Sequence, residues 1–451
     1  MKQFKITFIT LLLVLSTGFA QNRDNNTPYR FSVKECVKYG LENKAEVINT
    51  RLTVDSITHF AHEIMGYGLP QVNATLNSQY YVQLPTSLIP AKIFNPAAPS
   101  DMMIPVQFGT KYNTSAGIDF SQLVFDGDFF VGLSAARNLV SLFTKANERS
   151  KIETAAAIQK AYYNCLVNQR RTELVISNLE KLQKLKIDTE KLHQAGIVEK
   201  IDLDRIEVAI NNLKTEHEKV KQLVALSINL LKFQMGMSLD ASLTLTDTLT
   251  TQPASLNLTE PTVDIEKRVE YQLLKIQNKL FNLDRLRHYA GFVPTLYFYA
   301  SISTQAMRND FSYFDTKRNW FSTGVVGIKL SLPIFDGLRR KNRVEQAKIA
   351  IQKNEIDQQN FTLITQLELK NAITTYNNSI RSVEIQHRNL ELAQEVYRLA
   401  KIKYDKGSGM MLDIVNAEAS RKEAEINYLN SLLEVNIAKV DLLKAQGQII
   451  E

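Results

Sequence analysis

Two aspartates, Asp202 and Asp413, stand apart by position in this 451-residue chain. Each lies six residues beyond a glycine, Gly196 and Gly407, and the two copies are 211 residues apart. A carboxylate just past a helix break has two uses. It can cap the new helix, whose peptide dipoles favour negative charge at that end. It can also present charge into a space that several such ends surround. Other chemistry has little to rest on. His59, His62 and Glu63 fall within one helical turn, but a metal site needs a further distant ligand, and none can be named. They read as surface or interface packing. Gly407-Ser408-Gly409 is a helix break, not a phosphate cradle. There is no nucleophile elbow, Walker loop or dinucleotide fingerprint. The chain is therefore not read as an enzyme, and no cofactor or metal is expected.

A second landmark repeats. Leu123-Val124-Phe125-Asp126-Gly127 and Leu332-Pro333-Ile334-Phe335-Asp336-Gly337 share Phe-Asp-Gly at an offset of 210 residues. Each copy follows a strand-like run and precedes about 66 residues without proline. A constant offset over half the chain indicates internal duplication. Asp126 and Asp336 sit where helix N-termini are expected, and Gly127 and Gly337 are expected to permit a sharp change of direction.

Composition limits the class. Hydrophobic residues make up 44% and charged residues 22%, which excludes a disordered chain and a polytopic helical membrane protein. Lys2 and Lys5, the apolar run 6–15 and Gly18-Phe19-Ala20 read as a cleaved secretory signal over residues 1–20. No cysteine lies near that cleavage site, so a lipoprotein signal is not expected. The net charge is +7, but Lys and Arg alternate with Glu and Asp along helices, a solvated face rather than a nucleic-acid surface. Cys36 and Cys165 are too few for a disulfide framework. They read as buried thiols, and an exported chain leaves a bond between them open.

The elements follow from periodicity and breakers. A helix is predicted over 32–65, with Ser32 and Glu35 as a capping box. A strand over 71–83 alternates in polarity, a five-proline loop covers 84–110, and a second strand runs over 111–124. Helices follow over 128–193 and 201–233. Residues 21–30 are polar and read as loose, and 236–261 form a linker with a small strand or helix. The pattern then restarts with a helix over 263–289, strands over 295–304 and 319–332, and helices over 338–403 and up to 446. The predicted organisation is a signal segment, repeat 1 over 21–235, an equatorial linker over 236–261, and repeat 2 over 262–451.

A helix of about 66 residues is roughly 100 Å long and must pack along its length. In the last helix, Val415, Ala419, Lys422, Ile426, Leu429, Leu433, Asn436, Val440 and Leu443 follow alternating steps of four and three, a coiled-coil-like seam. The strands have outer-membrane length, aromatics cluster at their ends, and Val326, Ile328, Leu330 and Leu332 alternate with Lys329 and Ser331. Four strands in a bilayer leave unpaired edges. Several chains must then join: two copies give eight strands, and three give twelve, enough for a channel.

Together the signal, the duplicated half, the two Phe-Asp-Gly turns and the run Lys403-Tyr404-Asp405-Lys406-Gly407 before Leu412-Asp413-Ile414-Val415-Asn416-Ala417 resemble the TolC family of outer-membrane efflux proteins. The resemblance spans about residues 31–446. It implies a mixed α and β membrane protein, in which a trimeric twelve-stranded transmembrane β-barrel, four strands per protomer, continues into a long periplasmic α-helical barrel of coiled-coil-like helices. It implies a homotrimer in outer-membrane lipid, extending into the periplasm, that partners a membrane-fusion adaptor and an inner-membrane pump. Such a protein is a passive exit duct for small molecules or polypeptides, in a tripartite efflux pump or a type I secretion system. By motif position, Asp413 corresponds to an aspartate of the closed aperture and Tyr404 to a gating tyrosine, with Asp202 the first-repeat counterpart of Asp413. Asn416 stands where a second acidic residue often lies, and Gly409 where an arginine joins the closing bonds, so a weaker acidic ring is implied. The alternatives are a periplasmic coiled-coil adaptor or a structural envelope protein.

Overall fold

The computed structural model describes residues 28–249, 264–315 and 317–448. The expected signal at 1–20 and the later part of the linker, 250–261, lie outside them. Contacts divide the chain into two units. One takes in residues 1–48, 150–263 and 365–451, and the other 49–149 and 264–364. In chain order the elements are β1 (Tyr29–Phe31), α1 (Val33–Asn43), α2 (Ala45–Gly66), β2 (Gln71–Tyr80), β3 (Thr86–Pro90), β4 (Met103–Gln107), β5 (Tyr112–Phe125), α3 (Gly127–Gln194) and α4 (Lys200–Met235). Then come β6 (Leu243–Leu245), α5 (Val269–Ala290), β7 (Thr295–Arg308), β8 (Phe321–Ser331), α6 (Arg339–Asp405) and α7 (Met411–Gln446). Helices α2, α3 and α4 have 22, 68 and 36 residues; α5, α6 and α7 have 22, 67 and 36.

The second unit holds a four-stranded antiparallel sheet in the order β2-β5-β7-β8. Because side chains alternate along a strand, the register assigns every residue to a face. Val72, Leu76, Ile118, Phe120, Phe298, Ile302, Val326 and Ile328 share one face. Asn73, Thr75, Asn77, Ser115, Asp119, Ser301 and Ser303 share the other. The apolar face is uncovered: Leu76 is 75% exposed and Val326 72%. On the polar face the Ser301 hydroxyl donates to Asp119 Oδ1 at 2.7 Å. Among the described residues, neither the outer edge of β2 nor that of β8 pairs with another strand. No described helix is long and apolar enough to cross a membrane.

In the first unit, α1 packs on α3 and α4. Cys36, Ile158, Tyr162, Cys165, Leu231 and Met235 form one buried cluster. Both cysteines are free thiols. Burial pushes the Cys36 thiol up to about 12 and that of Cys165 to about 11. Ser32 caps α1 as its spacing to Glu35 predicts, since the Ser32 amide donates to Glu35 Oε2 at 2.7 Å. Asp247 holds the same helix end, taking the Val33 amide and the Tyr162 hydroxyl, each at 2.9 Å, on Oδ2.

Four predictions are corrected. The single helix expected over 32–65 is two, broken at Lys44. Lys44 Nζ donates to the Phe233 carbonyl at 2.9 Å and lies over the Phe233 ring at 4.0 Å. Gly236, at φ +71°, leaves room for that break: a Cβ there would lie 2.5 Å from the Asn43 oxygen. The proline-rich loop over 84–110 contains a hairpin, β3 with β4, in which Pro90 and Pro105 occupy positions that a two-stranded ribbon tolerates. The segment 21–30, expected to be loose, leads into β1, which pairs in parallel with β6, the small strand of the linker, with Tyr29 opposite Leu243. Short segments about 200 residues apart carry no local period by which to find each other.

The seam of α7 is the fourth. Most of its buried face, with Ile414, Glu418, Arg421, Glu425, Tyr428, Leu432, Val435 and Leu442, is the expected heptad displaced by one residue, while Leu429 and Val440 of that heptad are buried as expected. Counting apolar residues selects the wrong face because the true one carries three charges. They are satisfied together. Arg421 Nη2 donates to Glu418 Oε1 at 2.6 Å and to Asn178 Oδ1 at 2.7 Å, and Nη1 donates to Glu425 Oε1. Asn178 Nδ2 donates to Glu425 Oε2 at 3.1 Å, which ties α7 to α3. Lys422, from the expected seam, instead pairs with Glu216 of α4.

Arg421→Met leaves Glu418 and Glu425 buried without their cation. It is expected to lower stability by about 3–5 kcal/mol. Denaturant unfolding of the purified protein measures this, and a loss below about 1 kcal/mol would show that the network is not buried as described.

Candidate functional site

The two helix breaks are built alike. Gly196 and Gly407 have φ of +74° and +73°, a left-handed conformation that only glycine adopts without strain. At the first, the Ile197 amide returns to the Leu192 oxygen at 2.9 Å; at the second, the Ser408 amide returns to the Lys403 oxygen at 2.9 Å. Each is a Schellman-type helix end. Each new helix starts with the aspartate at its third position, Asp202 in α4 and Asp413 in α7, where the dipole favours a carboxylate. The backbone matches as well, with the Asp202 amide donating to Glu199 O at 3.1 Å and the Asp413 amide to Met410 O at 3.0 Å.

The side chains then part company. Asp413 is exposed and its Oδ2 accepts the Met410 amide at 3.3 Å, so it caps its own helix. Asn416, one turn on, is also exposed. Asp202 is largely covered and pairs with Arg205 Nη1 at 3.3 Å. Together with Tyr404 it lines a cleft of about 760 Å³ between the two breaks, which Glu199, Arg205 and Asp405 also border. The structure thus brings Asp202 and Tyr404 together and leaves Asp413 and Asn416 outside the cleft. Gly409 fits closely: a Cβ would lie 3.0 Å from the Tyr404 amide nitrogen. An arginine at that position would therefore press on the break itself.

Tyr404 is half-buried against the cluster of Leu182, Leu185, Ile206 and Met411. Burial pushes its phenol pKa up; Asp202 and Asp405 act in the same direction and Thr189 opposes them. The hydroxyl is shielded and makes no well-formed hydrogen bond with a described residue. Thr189 spends its own proton on the Leu185 carbonyl at 2.8 Å. Two contributors escaped sequence reading. Arg205 was legible as an i, i+3 partner of Asp202. His193 Nδ1, which lies 2.8 Å from the Val198 oxygen and spans the first break, had no signal beyond its closeness to Gly196.

The Phe-Asp-Gly turns lie in the other unit and differ from each other. Asp126 Oδ1 accepts the Asp128 amide at 2.8 Å, and α3 starts at once. Gly127 is not in the left-handed region. A Cβ there would stand 3.0 Å from that of Ala290, so it serves close packing rather than the expected change of direction. Gly337 does turn the chain, at φ +69°, and Leu338 follows at +64°. Asp336 Oδ2 bridges this stretch by accepting the Arg340 amide at 3.1 Å. Phe335 is 80% exposed, whereas Phe125 packs 6.0 Å from Phe130. Among the described residues, no group of three His, Cys, Asp or Glu is gathered as a metal would require. His59 and His62 meet edge to face at 6.2 Å.

Because the Tyr404 hydroxyl makes no well-formed hydrogen bond with a described residue, Tyr404→Phe is expected to change unfolding stability by less than about 1 kcal/mol. Denaturant titration reads this directly, and a loss of about 2 kcal/mol or more would reveal a bond to that hydroxyl.

Residues 288–448 match the family model of outer membrane efflux proteins. The chain is 21% identical over 312 residues to the probable efflux pump outer membrane protein TtgC of Pseudomonas putida. That match covers 67% of this chain and 62% of the relative, so it spans less than two thirds of the relative's length. The toluene efflux pump outer membrane protein TtgF of Pseudomonas putida is 21% identical over 425 residues, covering 92% of this chain and 83% of that protein. Among solved structures, CusC superposes with a TM-score of 0.74 at 17% identity, covering 92% of each chain. VceC of Vibrio cholerae superposes with a TM-score of 0.69 at 16% identity, covering 92% of this chain and 96% of that one. The C-terminal part of the chain thus resembles the outer membrane efflux proteins, and the chain as a whole shares the fold of CusC and VceC.

Proposed function

We propose that the protein is the outer-membrane channel of a tripartite efflux pump: a homotrimer whose twelve strands form a barrel and whose helices form a periplasmic duct. One observation carries this reading. The four-stranded sheet has one exposed apolar face, one polar face and two unpaired edges. The apolar face suits lipid and the polar face a water-filled lumen. The free edges suit neighbouring copies, because unpaired backbone groups are costly in hydrocarbon. Three copies supply twelve strands, enough for a channel, whereas eight would be filled by side chains. The near-equal helix lengths of the two halves support an internal duplication, with repeat 1 over 21–235 and repeat 2 over 262–451.

Transport through such a barrel is passive. Energy and most of the selectivity come from an adaptor and an inner-membrane pump, and a type I secretion partner fits the same duct. The aperture lies at the two helix breaks. Around a threefold axis, three exposed Asp413 carboxylates would repel one another and favour cations. With Asn416 uncharged, that ring is weaker than one with two acids per chain. Tyr404 and Asp202 act behind it, fixing the packing of the two breaks in each protomer.

The test is a planar-bilayer recording of protein purified from outer membranes. A detergent-stable trimer with cation-selective conductance is expected, and Asp413→Ala is expected to reduce the cation preference at least twofold. A monomer without conductance would overturn the channel reading. Unchanged selectivity in the variant would overturn the role of Asp413 alone.

A further inference from the structure

Arg308, the last residue of β7, is a buried cation with no carboxylate paired to it among the described residues. It is 5% exposed. Its Nη2 donates to the Arg318 carbonyl at 3.3 Å, and the guanidinium stands 5.7 Å from the Tyr313 ring and 6.0 Å from the Trp320 ring. Nη1 is shielded from solvent and has no partner among the described residues, and the same holds for the Tyr313 hydroxyl. The two acids of the adjacent loop are engaged elsewhere. Asp310 and Asp315 lie 2.6 Å and 3.6 Å from Arg318. Arg318 also holds the Asp310 carboxyl below its usual range. A buried guanidinium with a spare donor calls for an anion, and its forked geometry matches phosphate.

The surroundings indicate which phosphate. Arg308 pairs with Tyr112 and lies on the same face of the sheet as Ile118, Ile302 and Val326, the uncovered apolar face. Tyr80 and Tyr112 meet there with tilted rings at 4.8 Å, and Phe311 joins Tyr112 at 6.0 Å, an aromatic belt of the kind found at a membrane interface. This end of the strands is opposite Phe125, from which α3 departs. With the sheet spanning the outer membrane as proposed above, on which this inference rests, the belt lies in the outer leaflet. A free phosphate would gain nothing from the apolar wall; a lipid would gain contact along its acyl chains.

We propose that Arg308 Nη1 and the Tyr313 hydroxyl bind the phosphate of a phosphorylated glycolipid of the outer leaflet, with its acyl chains along the Ile302 face.

Native mass spectrometry of the purified protein, incubated in detergent with phosphorylated glycolipid, its dephosphorylated form, phosphatidylglycerol or inorganic phosphate, tests this. The phosphorylated glycolipid should bind at least tenfold more tightly than the dephosphorylated form, and Arg308→Gln should remove that difference. Tyr313→Phe, which keeps the ring, should weaken retention severalfold and guards against misfolding of the first variant. Equal retention with or without phosphate, or by parental protein and both variants, would overturn the proposal. Binding of inorganic phosphate without glycolipid retention, or equal preference for phosphatidylglycerol, would also overturn it. Conductance is recorded on the same samples. Glycolipid retention without conductance would count against the channel reading and leave this site standing, and conductance without retention would do the reverse.

Discussion

The edges of the four-stranded sheet impose the constraint on which the rest depends. A strand edge presents a row of backbone donors and acceptors, and hydrocarbon offers them no partner. The sheet nevertheless turns an exposed apolar face outward, from Val72 on β2 to Ile328 on β8. In water both features would invite aggregation. In a bilayer the apolar face is satisfied, and only the edges need resolving. Closure by further copies, as proposed, would resolve them and would place the polar face, with its Asn73, Asn77 and Asp119 side chains, on an enclosed aqueous path.

The helical unit meets a different requirement. Helices of 67 and 68 residues cannot be stabilised by propensity and must be packed throughout. Part of that packing is apolar, as in the cluster around Cys36 and Tyr162. Part is ionic, because Arg421 fixes two glutamates and Asn178 in one arrangement. Such a network adds little net stability over an apolar core but penalises any shift in register. At the helix breaks the same sequence device serves two purposes. Asp202 and Asp413 occupy equivalent helical positions, yet Asp202 is drawn into the protomer beside Arg205 while Asp413 stays exposed.

Much of this was legible in the chain. Glycine and proline breakers located the long helices to within a few residues, and alternation located the strands, because both signals are local. The position of Asp202 and Asp413 past the breaks was equally visible. Three things were not. The Lys44 break depends on Gly236, nearly two hundred residues away. The α7 seam was misplaced by one residue because Glu418, Arg421 and Glu425 look like a solvated face until their partners are known. Gly127 and Gly337 occupy identical motifs, but one makes room for Ala290 and the other turns the chain, a difference set by the neighbour and not by the motif.

Closure of the barrel between copies is most directly tested by cross-linking the two free edges. With Cys36 and Cys165 replaced by alanine, Leu76→Cys on β2 is combined in turn with Gly324→Cys, Val326→Cys and Ile328→Cys on β8, and outer membranes are oxidised. At least one register is predicted to give covalent dimers and a limiting trimer on non-reducing gels. Monomer alone in every register would contradict the account.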